Sequence, residues 1–266
     1  MTTSITSKNS KKSFWLKAAK FVGIFVFWIA LWQIAAQIIN QEMLLPTPLA
    51  VVEALIFEAA TREFWQAVAN SLLRVVIGFA SAVTVGAALG VATAKIPFLR
   101  SLFSPILQIV KAAPVASFII LAYVWIKSDN LPIFIAFLTG LPMIWQTVHI
   151  AVLNPDKQLE EAADVFGIRG AKRLFKVTVY SAIPAFVSSA ITCLGFCWKS
   201  VVATEVISPP LQAALGKSLY NAKTTIETPD VFAYTAVTVL LSMLSEMLLK
   251  TAVKRFEERQ GKKNAY

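Results

Sequence analysis

Six apolar runs, each close to the roughly 20 residues that a helix needs to cross a bilayer, constrain this chain more than anything else in it. They cover about 21–39, 67–94, 102–126, 133–153, 177–203 and 231–249. Backbone groups in lipid find no water, so such runs are read as helices. The expected fold class is an all-α membrane protein with six transmembrane helices. Only 15% of the 266 residues are charged, against roughly 25% in soluble domains.

The net charge of +10 does not point to nucleic acid, because the basic residues sit between the spans. Lys8, Lys11, Lys12, Lys17 and Lys20 precede the first span, and Lys95 and Arg100 follow the second. Lys157, Arg169, Lys172, Arg173 and Lys176 follow the fourth, and Lys250, Lys254, Arg255, Arg259, Lys262 and Lys263 follow the sixth. The other set is smaller: Arg62, Arg74, Lys127, Lys199, Lys217 and Lys223. Lys and Arg collect on the cytoplasmic side, which puts both termini and the 160–175 segment in the cytoplasm. The expected organisation is a basic cytoplasmic arm (1–20), one membrane domain (21–250) and a cytoplasmic tail (251–266). The basic start runs straight into a full-length span, so no secretory signal is expected.

"NPDKQLEEAADVFG", 154–167, reads as a short amphipathic helix between the fourth and fifth spans. Asn154 is the expected N-cap, Pro155 suits the first helical position and Gly167 suits the end. Leu159, Ala163 and Phe166 share one face with Ala162 beside them, while Lys157, Glu161 and Asp164 share another. Such a helix lies in lipid headgroups or docks into a groove on a protein. Glu160, Glu161 and Asp164 weigh against the headgroups, since the inner leaflet surface is negative.

Gly86 and Gly90 make a Gly-x-x-x-Gly pair in the second span, suited to close helix approach. Cys193 and Cys197, four apart on one helix face without His or carboxylate neighbours, read as packing thiols rather than metal ligands. Gly216-Lys217-Ser218 ends like a P-loop, but Leu211 stands where the first glycine would be and no strand precedes it. Nucleotide binding is therefore not expected here. The ionisable groups in or near spans are Arg74, Lys111, His149, Lys199, Glu205 and Glu246. Such groups face protein or a cavity. Lys111 reads either as a cationic cavity wall suited to an anion or as a side chain that snorkels or pairs with a carboxylate. Lys199 and Glu205 are expected to pair across a loop, Glu246 and Lys250 along a helix, and His149 to pack.

"EAADVFG", then nine residues, then "VTV", resembles the EAA motif of permease subunits of bacterial ABC importers. Glu161, Ala162, Ala163 and Gly167 match it, Val177 and Val179 replace Ile and Leu conservatively, and Tyr180 stands where the family has proline. Pro184 matches a second proline of the family. "LLPTP", "SLLRVVIGF", "AAPVASFIILAYVW", "WKSVVATEVI" and "ALGKSLYNA" resemble the branch that handles nitrate, taurine, other sulfonates and thiamine-precursor pyrimidines. The resemblance implies the type I importer permease fold and a homodimer in the bacterial inner membrane. It also implies two cytoplasmic ATPase subunits, which bind the ATP, and an extracytoplasmic substrate-binding protein. The permease itself is then no enzyme and carries no cofactor. Leu159, Glu161, Ala162, Ala163, Phe166 and Gly167 are its implied ATPase-coupling residues. Lys111 and Glu205 are candidates for the translocation path, Glu205 by alignment with a family glutamate near the outer gate. An ion-coupled secondary transporter is the rival. It calls for paired intramembrane carboxylates and repeated halves, and the sequence offers neither. A membrane-embedded enzyme would need clustered ligands that one His and two Cys do not supply.

Overall fold

The computed structural model describes residues 6–173 and 177–263. The side chains of Lys8, Lys11, Lys12, Lys17, Phe175, Lys176, Arg259, Lys262 and Lys263, counted above among the basic clusters and the polar segment, lie outside that description. The described residues form eleven helices: α1 (Thr6–Ile39), α2 (Pro48–Ala59), α3 (Arg62–Lys95), α4 (Pro97–Ala112), α5 (Val115–Tyr123), α6 (Leu131–Leu153), α7 (Lys157–Val165), α8 (Gly170–Arg173), α9 (Val179–Ile207), α10 (Leu215–Thr224) and α11 (Thr228–Lys263). Among them, α1, α3, α6, α9 and α11 are long and apolar enough to cross a bilayer, and α4 with α5 makes a sixth span bent by 105°.

That bend corrects the expectation of one continuous span over 102–126. Pro114 is the cause. The residue before a proline is pushed out of the helical region, and Ala113 sits at φ −78°, ψ 144°. Pro105, Pro142 and Pro184 lie inside α4, α6 and α9 without ending them. The fifth span also runs further than expected, with α9 continuing through Glu205 to Ile207.

The Cα traces group into two compact units. One comprises Met1–Ala60 and Ala222–Ala233, the other Thr61–Asn221 and Tyr234–Tyr266. In the first unit, the Trp32 indole N–H donates to the Pro46 carbonyl at 3.0 Å and the ring stacks on Phe232. Thr47 caps α2 through the Ala50 N–H, and the Thr228 hydroxyl donates to the Met43 carbonyl at 2.8 Å. The "LLPTP" turn is thus fastened by side chains on both flanks. Val22, Phe25, Phe27 and Trp28 of α1 are more than half exposed, which suits a helix whose neighbours are acyl chains.

In the second unit α6 is the central helix, between α3 and α9. Its seam with α3 is built on small residues every fourth position. A Cβ on Gly78 would fall 2.6 Å from Ala136 Cβ, one on Gly86 2.9 Å from Ile144 Cβ, and one on Gly90 2.7 Å from Val148 Cβ. Ala82 completes the row, fully buried, opposite Gly140. On the other side of Gly140 lie Cys193 and Cys197. Their sulfurs are 4.0 Å apart, buried, and directed at the Gly140 and Ala136 carbonyls. Polar rungs pin the same helices. Thr139 meets Ser200 at 3.0 Å, Thr147 donates to Ser189 at 3.1 Å, and the Trp145 indole donates to Thr93, which also contacts His149 Nδ1. His149 packs on Trp145, as expected.

Candidate functional site

The described part of the polar segment after α6, residues 154–173, turns twice. Its first cap differs from the sequence reading. Asn154 closes α6, donating its side-chain amide to the Ile150 carbonyl. Asp156 is the N-cap of α7, accepting from the Gln158 N–H at 2.8 Å. Asp156 wins because its carboxylate, one residue after Pro155, also favours the positive end of the helix.

The other end of α7 is closed as the glycine suggested. The Ile168 N–H reaches back to the Ala163 carbonyl at 2.8 Å and the Gly167 N–H to the Asp164 carbonyl at 3.1 Å. This pair of bonds is a Schellman motif, which needs a left-handed residue after the cap. Gly167 supplies it at φ +65°, and Gly170 repeats the left-handed turn at φ +62°. Two reversals in four residues fold the chain back, and Arg173 locks it. The guanidinium donates to Asp164 at 2.5 Å and lies 3.5 Å from Glu160. The hydrogen bond to Asp164 pushes the Arg173 guanidinium still further above its ordinary range.

The six coupling candidates therefore share one short element, but in different settings. Ala163 is turned inward, 2% exposed, and seats the helix. Leu159, Glu161, Ala162 and Phe166 are exposed. Glu160 and Asp164 are engaged by Arg173, whereas Glu161 makes no ion pair or hydrogen bond among the described residues. Val165 and Phe166 are 84% and 79% exposed at the same tip. Val165 was missed by the sequence reading, because helical spacing puts it off the Leu159 face. Its prominence comes from the turn that follows.

At the far end of α9 lies a second cluster that spacing did not reveal. Glu205 and Arg74 are buried, and Arg74 Nη1 donates to Glu205 Oε1 at 2.9 Å. The Ser71 hydroxyl lies within 2.9 Å of both carboxylate oxygens, and the Gly216 N–H donates to Oε2 at 3.0 Å. The Leu215 N–H donates to Ser71 Oγ at 3.0 Å. Asn70 donates to the Ala213 carbonyl, and Asp129, 3.7 Å from Arg74, accepts from the Leu211 N–H. Together these bonds fasten the connection between α9 and α10 onto α3. The expected Lys199–Glu205 pair is not formed, since Lys199 lies over the Phe196 ring instead. Glu205 is within α9 rather than in a loop, and the spacing of six residues, under two turns, puts the two side chains on different faces of the helix. One signal for the true pair was present: Arg74 and Glu205 are lone, opposite charges inside apolar runs. Gly216 and Lys217, the P-loop-like residues, open α10 and bond to Glu205 and the Leu211 carbonyl.

Lys111, the other path candidate, is not brought to Glu205. It stands in the last turn of α4, just before the break, with Nζ donating to Gln146 Oε1 at 2.7 Å. Its partner is thus an amide on α6, not a carboxylate. Glu246 and Lys250 do pair along α11, at 3.9 Å.

The family model for the inner membrane component of binding-protein-dependent transport systems matches residues 82–259. The chain belongs to this family. The permease is 25% identical over 236 residues to the taurine transport system permease protein of Escherichia coli (strain K12), covering 86% of this chain and 85% of that one. It is 27% identical over 225 residues to that organism's putative aliphatic sulfonates transport permease protein, covering 82% and 83%. A nitrate import permease protein of Synechocystis sp. matches at 23% over 138 residues, covering 52% and 50%. Among solved structures, an amino acid ABC transporter aligns with a TM-score of 0.55 at 15% identity, covering 73% of the permease and 94% of that chain. A methionine ABC transporter in an inward-facing form aligns with a TM-score of 0.53 at 19% identity, covering 72% and 91%. The fold of the permease is that of ABC importer membrane subunits.

Proposed function

We propose that the permease forms the path of an ATP-driven importer for a small anionic or heterocyclic solute of the nitrate, sulfonate, taurine or thiamine-precursor kind. The observation that carries this reading is α7. A short helix, capped at both ends and closed by Arg173, leaves Val165, Phe166 and Glu161, which has no ion pair among the described residues, exposed between two spans. Nothing in the fold of one chain requires so costly a display of apolar side chains. A groove on a partner would bury them, and Glu161 would find charge-assisted donors there.

In this reading the partner is a cytoplasmic ATPase subunit, one for each of two permease copies, and it binds and hydrolyses the ATP. An extracytoplasmic binding protein delivers the solute and does most of the selecting. The permease lies in the bacterial inner membrane with both termini in the cytoplasm, in keeping with the Lys and Arg asymmetry. Leu159, Ala162, Phe166 and Glu161 make the contact, Ala163 anchors the helix to its own chain, and Gly167 sets its angle. Lys111 stands on the path. Glu205 acts from within the buried cluster, where it holds the α9–α10 connection near the outer end.

The test is co-expression with the ATPase encoded beside the permease gene, followed by native mass measurement and uptake in proteoliposomes. The expected particle holds two permeases and two ATPases and takes up solute only with ATP. Uptake by the permease alone, driven by an ion gradient, would refute the proposal.

A further inference from the structure

All the polarity of α4 is on one side. Arg100, Ser101, Ser104, Gln108 and Lys111 are its polar residues between Pro97 and Ala112, and every other residue is apolar. At 100° per residue the five fall within an arc of about 100°. Ile106 and Ile109, elsewhere on the helix, are 54% and 64% exposed, as a lipid-facing side requires.

Most of the stripe is exposed, and it borders the edge by which α4 meets the bundle. α4 rests on α3 and α6, and its buried residue, Leu107, lies on the helical projection about 20° from Arg100 and 40° from Lys111. Lys111 reaches α6 itself, at Gln146. Along the stripe Pro97, Arg100, Ser101, Ser104, Pro105 and Gln108, all of α4, line an open concavity of about 520 Å³. Polar side chains at membrane depth face protein or water, and this concavity is where water would enter.

Its charge has no carboxylate partner among the described residues. The sequence holds no Asp or Glu between Glu63 and Asp129, nor between Asp129 and Asp156. Neither Arg100 nor Lys111 is ion-paired among the described residues. The two cations are three turns apart, about 16 Å along the helix, with hydroxyl and amide donors between them. α5 then starts at Val115, after Pro114 as an N-cap without a side-chain bond, so its positive end lies just past Lys111.

We propose that this flank of α4, together with Gln146, is the anion-conducting wall of the translocation path, with Arg100 and Lys111 as two cationic stations and Ser104 and Gln108 as donors between them. It rests on the importer reading and adds to it the residues that meet the solute. The ligand chemistry is a small, singly charged oxyanion such as a sulfonate.

The experiment uses the full permease with its ATPase in proteoliposomes, with single cysteines in place of Ser104, Gln108, Ile106 or Ile109. Each is reacted with an anionic (sulfonatoethyl) and a cationic (trimethylammonioethyl) methanethiosulfonate, the parent with buried Cys193 and Cys197 giving the background. Ser104→Cys and Gln108→Cys should react on the order of ten-fold faster than the isoleucine positions. They should prefer the anionic reagent on the order of five-fold, as an electropositive cleft concentrates anions. Lys111→Gln should abolish that preference, and methanesulfonate should slow the labelling. Equal rates at all four positions, or a preference indifferent to Lys111→Gln, would overturn the proposal. So would protection that follows the phosphatidylglycerol content of the vesicles and not methanesulfonate, because the stripe would then bind lipid headgroups. Labelling is read without transport, so intact labelling with no ATP-dependent uptake strikes at the importer reading alone.

Discussion

Arg74 of α3 and Glu205 of α9 meet at 2.9 Å with side chains 5% and 0% exposed, and they close the fold at the end opposite α7. Glu205 also accepts from the Gly216 N–H and contacts the Ser71 hydroxyl, so the carboxylate has a donor for most of its lone pairs. A buried ion pair repays its desolvation only when hydrogen bonds complete it in this way.

Removing Arg74 leaves the Glu205 carboxylate without a cation, and removing Glu205 leaves Arg74 only Asp129, at 3.7 Å. Arg74→Ala or Glu205→Ala should each cost about 3–5 kcal/mol of stability, and Arg74→Ala/Glu205→Ala should cost well under their sum. Thermal unfolding in detergent micelles gives the three values. Additive losses would mean that the two side chains do not act on one another.

The α3–α6 seam predicts a sharp contrast between glycines. Gly86→Leu has no room, since even its Cβ would fall 2.9 Å from Ile144 Cβ. It should lower stability by about 1–3 kcal/mol or more, the usual cost of overpacking. Gly23→Leu, with nothing within 4 Å of its Cβ, should be near neutral. Expression level and unfolding temperature compared side by side decide the matter.

At the α7 turn, Gly167→Ala should cost roughly 1–2 kcal/mol, the strain of a side chain in the left-handed region. Gly167→Asp adds a negative charge at the negative helix end. It should leave the permease in the membrane at near-normal level while abolishing solute-stimulated ATP hydrolysis. Glu161→Ala should weaken that stimulation less, because Leu159 and Phe166 remain. Protein level falling in step with ATPase stimulation would remove the coupling role.

The Arg173 clamp on Glu160 and Asp164 is partly exposed, so salt should reach it. Arg173→Ala should speed amide exchange at Gly167 and Ile168. For the parent, 1 M salt, with a screening length of about 3 Å, should shift exchange toward the variant rate. Exchange unchanged in Arg173→Ala would show that the two glycine turns hold the segment unaided.

Sidedness is tested by labelling. Cysteine at Arg169 should react with an impermeant thiol reagent only from the cytoplasmic face, and cysteine at Lys223 only from the outer face. Reaction of both from one face would break the six-span topology.

What the sequence determined by itself is the set of six apolar spans and the motif between the fourth and fifth of them. Apolar length, Gly167 and the Glu161-Ala162-Ala163 run are local signals, and their physics is local: a bilayer-length run must be helical, and a left-handed turn takes glycine. The end of α7 was legible for that reason. Its start was not, because Asn154 and Asp156 are both good caps, and only the path of α6 decides that Asn154 belongs to the preceding helix. Tertiary structure alone decided the rest. The Arg74–Glu205 pair joins residues 131 apart in sequence, and no periodicity encodes such a distance. Lys111 shows the same limit. Its charge and depth were plain from the sequence, but its partner, an amide on α6, depends on how α4 bends at Ala113 and lies against its neighbours. Intrahelical bonds are set by the order of residues, whereas the bonds between helices are set by which faces the packed glycines of α3 allow to come close.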